Sequence, residues 1–405
     1  MSRRRTKAHA VPPLRFAGFT GDWQTGRVDS FLVLQRGFDL TKKTSSGNGK
    51  YPVYSSSGIS YYHDEFKVRG PGLITGRKGS VGPVFLVNED FWPHDTSLWV
   101  KDFKGNDIGY LYYFLIHFDL TRFDEASSVP TLNRNNVHRE STAFPTLPEQ
   151  RKIADFLTAV DGRTGQLSQK KALLEDYKKG VMQQLFTQAL RFKDDHGKDF
   201  PEWEEKRYAD IYTFQNTNSY SRDLLNYDDG EVRNIHYGDI HTKFKSNFYL
   251  TDEKVPFIKP EVNLLRISDA CYCRVGDLVI ADASEDYADI GKCIEIRDLG
   301  GQRTLAGLHT FIARPKKDAM APGFGSYLMQ SRKVRLKIMT IAQGTKVLGI
   351  SKTQLSEIML PIPHPKEQTK IANFLTALDR KIESVANQIT HTQTFKKGLL
   401  QQMFV

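Results

Sequence analysis

Two histidines are the first residues whose types and spacing could support chemistry. His236 and His241 lie five positions apart in RNIHYGDIHTKF, and neutral imidazole is a common metal ligand. A zinc site usually takes three or four protein ligands, and the neighbouring sequence supplies no such set. We therefore expect no bound metal and interpret both histidines as residues of a turn or of a nucleic-acid contact.

An acidic stretch could instead belong to a metal-dependent nuclease. Residues 201–206 read PEWEEK, but the acids are closely packed and no partner acid lies on an obvious second strand. A solvated run of charges at a domain entrance explains the stretch better. The sequence also lacks glycine-rich phosphate loops, the H-E-x-x-H zinc motif and the G-x-S-x-G nucleophile motif. These absences indicate a non-catalytic chain without a cofactor.

The cysteines indicate a cellular compartment rather than a reaction. Cys271, Cys273 and Cys293 are too few for a disulfide framework and fit a reducing cytoplasm. Cys271 and Cys273 lie two apart in a strand-like run, so we expect them to share one face and to pack there. The basic N-terminus lacks the apolar core of a secretory signal, and no apolar run is long enough to cross a membrane. We expect a cytoplasmic protein.

Polar, basic loops that also carry aromatic residues are the stronger candidates for function. They are 39–58, 75–82 and 131–139 in the first part of the chain, and 214–222, 234–247 and 342–354 in the second. Arg and Lys read guanine edges, Asn and Gln read adenine, and Ser and Thr contact phosphates or bases. The predicted DNA-binding residues are Lys42, Lys43, Ser55, Ser56, Arg77, Lys78, Ser80, Asn133, Arg134, Asn218, Tyr220, Arg222, His236, Tyr237, His241, Lys243, Thr345 and Lys346. Taken singly, each loop could be ordinary solvated surface.

The charge of the whole chain favours a polyanionic partner. The net charge is +10 over 405 residues and the pI is about 9.2. Lys and Arg gain binding free energy by displacing counterions from phosphates. Charge alone fits a mildly basic soluble protein equally well.

An internal repeat shows which elements position these loops. Residues 145–187 and 363–405 align at a constant offset of 218 without a gap, and 17 of 43 positions are identical. The seam positions of the first copy are Ile153, Leu157, Val160, Thr164, Leu167, Lys171, Leu174, Lys178, Val181 and Leu185. Those of the second copy are Ile371, Leu375, Leu378, Ile382, Val385, Ile389, Thr392, Lys396, Leu399 and Met403. Steps of four and three sustained over nearly five heptads predict two coiled-coil helices, covering 150–186 and 368–404.

Two segments of different sequence flank the helices. Both contain short β-rich runs such as 82–87, 277–281 and 309–314, separated by turn residues. We predict an α+β fold: two mixed α/β globules joined by two long antiparallel coiled-coil helices with pseudo-two-fold symmetry. The predicted boundaries are a basic disordered arm at 1–13, globules at 14–146 and 189–364, and helices at 147–188 and 365–405. A helix of about 36 residues is roughly 54 Å long.

Several phrases resemble one known family over essentially the whole chain. They are LRFAGFTGDW, YPVYSSSG, GRKGSVG, GDLVIADASEDYADIGK, the helix starts PTLPEQRKIADFL and PIPHPKEQTKIANFL, and the helix ends KKGVMQQLF and KKGLLQQMF. This layout resembles the DNA-specificity subunit of type I restriction-modification enzymes. The resemblance implies that the globules are target-recognition domains, each reading half of a bipartite double-stranded DNA site. It also implies that the helices act as a spacer and dock methyltransferase subunits, which in turn recruit restriction-translocase subunits.

Apolar residues outside the seams are the predicted contacts to those partners. We expect two of the methyltransferase subunits that the resemblance implies. The predicted partner-binding residues are Phe156, Tyr177, Met182, Phe374, Phe395, Leu400 and Phe404, since apolar helix faces are common partner sites. One alternative is a coiled-coil interaction scaffold with protein-binding heads, against which the basic loops count. Another is a fused DNA methyltransferase, which needs a cofactor pocket and an Asn-Pro-Pro-Tyr-like loop that the sequence lacks.

Overall fold

The computed structural model describes residues 11–40, 49–124 and 128–405. The predictions on the first ten residues of the basic arm and on Lys42 and Lys43 lie outside the described residues. The chain divides into two compact units: unit 1 comprises residues up to Gln169 together with Val385–Val405, and unit 2 comprises Lys170–Ser384. Each long helix therefore contributes one segment to each unit.

The first part of the chain alternates short strands and helices. Its elements are β1 (Gln24–Arg27), α1 (Val28–Phe31), β2 (Val33–Arg36), β3 (Tyr51–Ser55), β4 (Gly58–His63), β5 (Gly72–Gly76), β6 (Val84–Val87), β7 (Trp92–Pro93), β8 (Ser97–Asp102), α2 (Ile108–Phe118), a 3-10 turn (Leu120–Phe123), α3 (Arg134–Arg139), β9 (Ser141–Phe144) and the long helix α4 (Leu147–Phe186).

The second part repeats this plan with additional elements. They are β10 (Glu204–Arg207), α5 (Tyr208–Ile211), β11 (Tyr212–Gln215), β12 (Leu225–Asn226), β13 (Val232–Ile235), α6 (Tyr237–Thr242), β14 (Asn247–Tyr249), β15 (Phe257–Ile258), β16 (Leu278–Ala281), β17 (Ala283–Ser284), β18 (Cys293–Asp298), β19 (Arg303–Ala306), β20 (Thr310–Pro315), α7 (Phe324–Gln330), α8 (Arg332–Ile341), β21 (Leu348–Gly349), α9 (Lys352–Ser356), β22 (Met359–Ile362) and the long helix α10 (Pro365–Met403). Short 3-10 turns cover Arg222–Leu224, Leu250–Asp252 and Asp269–Cys271.

Both units place small, mostly antiparallel sheets against helices. Unit 1 has sheets in the orders β2-β8-β5-β6 and β4-β3-β7, and its β1 pairs with β9. Unit 2 has sheets in the orders β11-β20-β16-β18-β14 and β12-β15-β13-β19, together with the pairs β10-β22 and β17-β21. The buried strand β16, LVIA, and α7 lie in the main core of unit 2. The α+β class of the prediction is confirmed.

The two long helices are continuous, as the repeat predicts. Every predicted seam position is buried or half-buried, including the polar Thr164, Lys171 and Lys178. In unit 1, Leu14 N–H donates to Gln402 O at 2.9 Å near the end of α10, and Arg15 binds Glu149 near the start of α4. Further along, Asp161 of α4 pairs with Lys396 of α10. The helix segments of unit 1 are therefore antiparallel.

The same reasoning applies separately to unit 2. Leu190 N–H donates to Gln184 O at 3.1 Å near the end of α4, and Arg191 binds Glu367 near the start of α10. Lys178 and Asp379 then pair at 2.5 Å further along the two helices. The segments of unit 2 are also antiparallel.

The repeated Glu-Gln pair at each helix start attaches the helix to its globule. In unit 1, the buried Glu149 carboxylate accepts two hydrogen bonds from Arg15, at 2.7 and 2.8 Å. In unit 2, Glu367 accepts from Arg191 at 2.9 and 3.1 Å. A planar guanidinium matches a carboxylate in this two-bond geometry. The glutamate therefore fixes the segment that enters the unit.

The glutamine next to each glutamate bonds backbone groups. Gln150 donates to Pro145 O at 2.9 Å and accepts from Asp107 N–H, just before α2. Gln368 donates to Pro363 O at 3.0 Å and accepts from Ala321 N–H, near the start of α7. Each helix start is thus fixed both to its own lead-in and to another element of the same unit.

A second polar cluster recurs where the helices pair. Asp161 accepts hydrogen bonds from Tyr113 Oη and Lys396 Nζ, each at 2.8 Å. In unit 2, Asp379 accepts from Tyr327 Oη at 2.6 Å and from Lys178 Nζ at 2.5 Å. Burial raises the pKa of both tyrosines well above its ordinary value, so each remains a hydrogen-bond donor. These clusters explain why lysine occupies a seam position.

One packing prediction from the sequence is wrong. Cys271 ends a 3-10 turn at the edge of the small cluster around Val232 and Leu305, whereas Cys273 packs in a different core with Val279 and Ile294. The two thiols therefore do not share a strand face, because Cys271 still belongs to the turn and the extended chain begins only after it. No helix of the described residues is both long enough and apolar enough to cross a membrane.

Candidate nucleic-acid interface

The polar loops of unit 1 meet at the end of the sheet where β5 finishes and β8 begins. Arg77 and Lys78 follow β5, and both backbone N–H groups donate to Thr96 O, at 2.9 and 3.0 Å. Leu132 N–H donates to Arg77 O at 2.8 Å, and Gly79 N–H donates to Pro130 O at 2.9 Å. The predicted loops 75–82 and 131–139 therefore lie side by side.

The turn after β5 packs tightly against a third predicted loop. A Cβ on Gly76 would lie 1.7 Å from Ser80 O and 2.8 Å from Ser56 O, so only glycine fits there. Ser56 is buried, and Ser55 and Ser80 are half-buried. Ser55 Oγ donates to Gly58 O at 3.2 Å. The serines therefore contribute to the packing of this edge, and their side chains are not fully exposed on it.

The basic side chains of this edge are better exposed. Lys78 and Arg134 are exposed and Arg77 is half-buried, with its Nε donating to Asp95 O at 2.9 Å. Asn133 caps α3 by accepting from Asn135 N–H at 3.0 Å. Unit 1 thus presents cations around a turn that the backbone holds in place.

The polar loops of unit 2 also converge, at the end of the sheet where β16 finishes and β20 begins. Thr217 Oγ1 donates to Thr310 O at 2.9 Å, and Asn218 N–H donates to Ala306 O at 3.1 Å. The ring of Tyr237 lies 5.3 Å from that of His309. His241 Nε2 lies 3.0 Å from Ala283 O. The loops 214–222 and 234–247 are therefore neighbours.

The loop 342–354 completes this edge of unit 2. Gln343 and Gly349 exchange two backbone hydrogen bonds of 2.9 and 2.7 Å, which leaves Thr345 and Lys346 exposed at the tip. Gly349 pairs with Ala283 in the strand ladder. Asn218, Tyr237, His241 and the tip at 345–346 thus lie near one end of the main sheet of unit 2.

Several predicted contact residues have structural partners here. Asp239 is fully buried and accepts from Arg222 Nη2 at 2.8 Å and Lys243 Nζ at 2.9 Å. Burial raises the pKa of Asp239, but hydrogen bonds from the two cations outweigh it and the net pKa is lowered. Half of each cationic side chain remains exposed, which leaves room for a phosphate contact.

The aromatic and imidazole groups of unit 2 are less available than the cations. His236 is buried and caps α6 through a 3.1 Å bond from Gly238 N–H to Nδ1, and burial lowers its pKa. Tyr220 is half-buried against the Val232 cluster. No group of three or more metal-binding side chains occurs among the described residues. His236 and His241 therefore shape the loop.

The two edges are built by the same backbone bonds. In unit 1, Arg77 N–H donates to Thr96 O and Arg77 O accepts from Leu132 N–H. In unit 2, Asp282 N–H donates to His309 O at 3.1 Å and Asp282 O accepts from Ile350 N–H at 3.0 Å. Leu132 and Ile350 are separated by the offset of 218 that relates the helices. The duplication therefore extends from the helices into the candidate interface.

Comparison with known families decides the class of protein. The profile of the type I restriction modification DNA specificity domain matches residues 20–176 and 201–391, one stretch in each half of the chain. The chain belongs to this family. Its duplicated edges are accordingly the edges of two specificity domains.

Individual relatives agree with this assignment. The type I restriction enzyme MjaVIII specificity subunit of Methanocaldococcus jannaschii is 25% identical over 403 residues, which covers 94% of this chain and 91% of the relative. The crystal structure of an S subunit of a type I restriction-modification system from M. genitalium superposes with a TM-score of 0.60, at 15% identity, over 98% and 99% of the two chains. A chain from a structure of a type I R-M system superposes with a TM-score of 0.57, at 15% identity, over 95% and 97%. The structural likenesses show a shared fold.

Six of the seven apolar residues predicted to bind partner subunits form equivalent pairs in this specificity protein, and Phe404 is the seventh. Phe156 and Phe374 are half-buried against Phe16 and Phe192, and Met182 and Leu400 pack on the two main cores. Phe404 is only 3% exposed and stacks on Tyr110, so its side chain is not available to a partner. Tyr177 and Phe395 remain exposed, at 53% and 55%. They are equivalent positions of the helix repeat.

The sequence missed residues that belong to these sites. Asp282 and His309 lie at the unit 2 edge, although the sequence placed them only in a family-like phrase and in a β-rich run. Tyr113 and Tyr327 bind the helix aspartates. Asp282 lies in the family-like phrase GDLVIADASEDYADIGK. Its position directly after a strand of apolar residues is the signal that could have identified it as a site residue.

Proposed function

We propose that this chain reads a bipartite DNA site, with unit 1 reading one half and unit 2 the other. The main support is that, in each unit, equivalent backbone hydrogen bonds hold basic and polar loops together at one end of the sheet. Membership of the specificity-domain family makes sequence-specific DNA recognition the function of the chain. A scaffold with protein-binding heads is not favoured, because it gives no reason for two cationic edges.

The role of the chain is recognition and not catalysis. The family and its relatives are specificity subunits, and modification and restriction are the work of separate subunits. We propose the boundaries 14–146 and 189–364 for the two target-recognition domains, with helices over 147–188 and 365–405 as spacers. The cytoplasm remains our expectation for its location.

Within each edge we propose a division between phosphate and base contacts. Exposed flexible cations are suited to phosphates, which position the protein without carrying sequence. Lys78, Arg134 and Lys346 are of this kind, and Arg222 and Lys243 can join them. Side chains held by the backbone of the turn, such as Arg77, are suited to bases.

Salt-dependent binding tests this proposal. Lys78→Ala and Lys346→Ala should weaken binding to any DNA and reduce the slope of log K against log salt by about 1 each. Lys101→Ala and Lys317→Ala are matched controls, because both lysines are exposed and lie at the opposite ends of the same sheets. Equal slopes for all four variants would place the DNA elsewhere.

For the partner subunits we propose two equivalent docking sites on the long helices. Tyr177 lies on α4 within unit 2, and Phe395 lies on α10 within unit 1. Exposed aromatic side chains in a helix are typical anchors of interfaces. Two equivalent anchors match two copies of a methyltransferase subunit, and restriction-translocase subunits then bind through these.

Native mass spectrometry of the assembled complex tests the stoichiometry. Tyr177→Ala and Phe395→Ala should each leave complexes with one methyltransferase subunit, and the double variant should leave none. Leu336→Ala is a matched control, because Leu336 is 54% exposed but belongs to α8 and not to a long helix. A full complex with the double variant would refute the docking sites.

A further inference from the structure

The two specificity edges carry opposite charges at one equivalent position. Arg77 follows β5, an interior strand flanked by β8 and β6, and Asp282 follows β16, an interior strand flanked by β20 and β18. Both residues use their backbone N–H and C=O groups in equivalent bonds to the neighbouring loops. The side chain at this position therefore starts from a fixed backbone site in both units.

One hydrogen bond holds the guanidinium of Arg77 in place and leaves its two Nη groups for another partner. Its Nε donates to Asp95 O at 2.9 Å. Among the residues that the structure describes, neither Nη group has a hydrogen-bond or ion-pair partner. Two parallel N–H groups fit the O6 and N7 acceptors of guanine.

The carboxylate of Asp282 is held in a similar way. Its Oδ1 lies 3.3 Å from His309 Nδ1, and its side chain is 21% exposed. Within the described parts of the chain, Oδ2 has no partner. A carboxylate gains nothing from a phosphate, because the two anions repel each other. On an edge that binds DNA, its favourable partner is an amino group of a base.

Cytosine is the base that such a carboxylate selects. In the major groove cytosine presents its N4 amino donor. Adenine presents an amino donor beside the N7 acceptor, whose lone pair repels a carboxylate. Guanine presents two acceptors and no donor at its edge.

We infer that Asp282 reads a cytosine in the half-site of unit 2, at the equivalent position where Arg77 reads a guanine in the half-site of unit 1. This inference rests on the proposed function, since it assigns bases to the edges described above. Each of the two domains has this base-reading position, and the side chain at the position determines which base is recognised.

Selection of binding sites from random DNA by the full chain tests the inference. Asp282→Asn should replace the cytosine preference with adenine or with no preference at one position of one half-site, because an amide both donates and accepts. The loss against cytosine should be roughly fivefold or more, the lower end of a base contact. Arg77→Gln should remove a guanine preference of roughly tenfold in the other half-site. Glu285→Gln is the control, because Glu285 is exposed three positions further along and its replacement removes the same charge.

The outcomes separate this inference from the proposed function. If the unaltered chain selects no split sequence, the proposed function itself fails. If it selects one but Asp282→Asn keeps the original bases, or behaves like Glu285→Gln, the inference is overturned. The inference is also overturned if Asp282→Asn and Arg77→Gln change the base preference in the same half-site. If Asp282→Asn does not fold by circular dichroism, Asp282→Ser gives the same readout, with loss of the cytosine preference expected.

Discussion

The buried glutamates at the helix starts allow a prediction with an internal control. Replacing Arg15 with alanine leaves the Glu149 carboxylate, 2% exposed, without its only side-chain donor among the described residues. Removing one member of a buried ion pair costs about 3–5 kcal/mol. Replacing Arg191 leaves Glu367 fully buried, but Trp203 Nε1 still donates to it at 3.1 Å.

The equivalent tryptophan of unit 1 gives no such support. Trp23 Nε1 has no hydrogen-bond partner among the described residues. A hydrogen bond to a charged acceptor contributes about 1.5–3 kcal/mol. We therefore expect Arg15→Ala to cost about 3–5 kcal/mol and Arg191→Ala to cost less by about the value of the tryptophan bond. The double variant Arg191→Ala with Trp203→Phe should remove that difference.

Amide hydrogen exchange is the suitable assay, because a chain of two units does not have to unfold in one step. The free energies of opening are measured for peptides at the starts of α4 and α10. Arg15→Lys and Arg191→Lys are controls that keep the charge but lose the two-bond geometry, and each should cost less than alanine. Costs below about 1 kcal/mol would refute the claim that these pairs anchor the helices, and equal costs for the two alanine variants would refute the support by Trp203.

Three further predictions concern the spacer, catalysis and pH. One heptad inserted near Leu167 and one near Val385 keep the seams in register and lengthen each helix by about 10.5 Å. Any binding that survives should keep the same half-sequences and favour a spacer longer by roughly three base pairs. Unchanged spacing in a selection experiment would show that the helices do not set the distance between the half-sites. The purified chain alone should transfer no methyl group from radiolabelled S-adenosylmethionine to DNA and cleave no DNA, and either activity would contradict a pure specificity role. Burial raises the pKa of Glu295 from 4.5 to about 7. Between these pH values the folded chain holds a proton that the unfolded chain releases. The stability of unit 2 should therefore fall as the pH rises from 4.5 to about 7. Glu295→Gln should flatten this slope in urea melts, and an unchanged slope would assign it to other groups.

The helices were the most predictable part of the structure. Their hydrophobic period is local information, and the ungapped repeat supplied it twice. The period also located Lys178 and Lys396 at seam positions, although only the fold shows that each binds an aspartate of the other helix. The sequence predicted polar loops on two globules, but it did not predict that the loops of each globule meet at one edge of its sheet.

The details of the edges depend on contacts between distant segments. His236 and Tyr220 looked like loop residues, but burial against other strands decides their roles. Arg77 and Asp282 are separated by 205 positions and not by the 218 of the helices, since the globules differ in length. The equivalence of the two residues follows from their backbone bonds, to Thr96 and Leu132 in unit 1 and to His309 and Ile350 in unit 2. The 3-10 turn that ends at Cys271 likewise leaves Cys271 and Cys273 in different clusters.

Selection from random double-stranded DNA by the unaltered chain tests the central claim most directly. Two units that each read half of a site should enrich two short defined sequences separated by a run of unspecified bases of fixed length. The enrichment should persist as salt is raised, while binding to the unselected pool weakens. Enrichment of one uninterrupted sequence, or of none, would contradict the account.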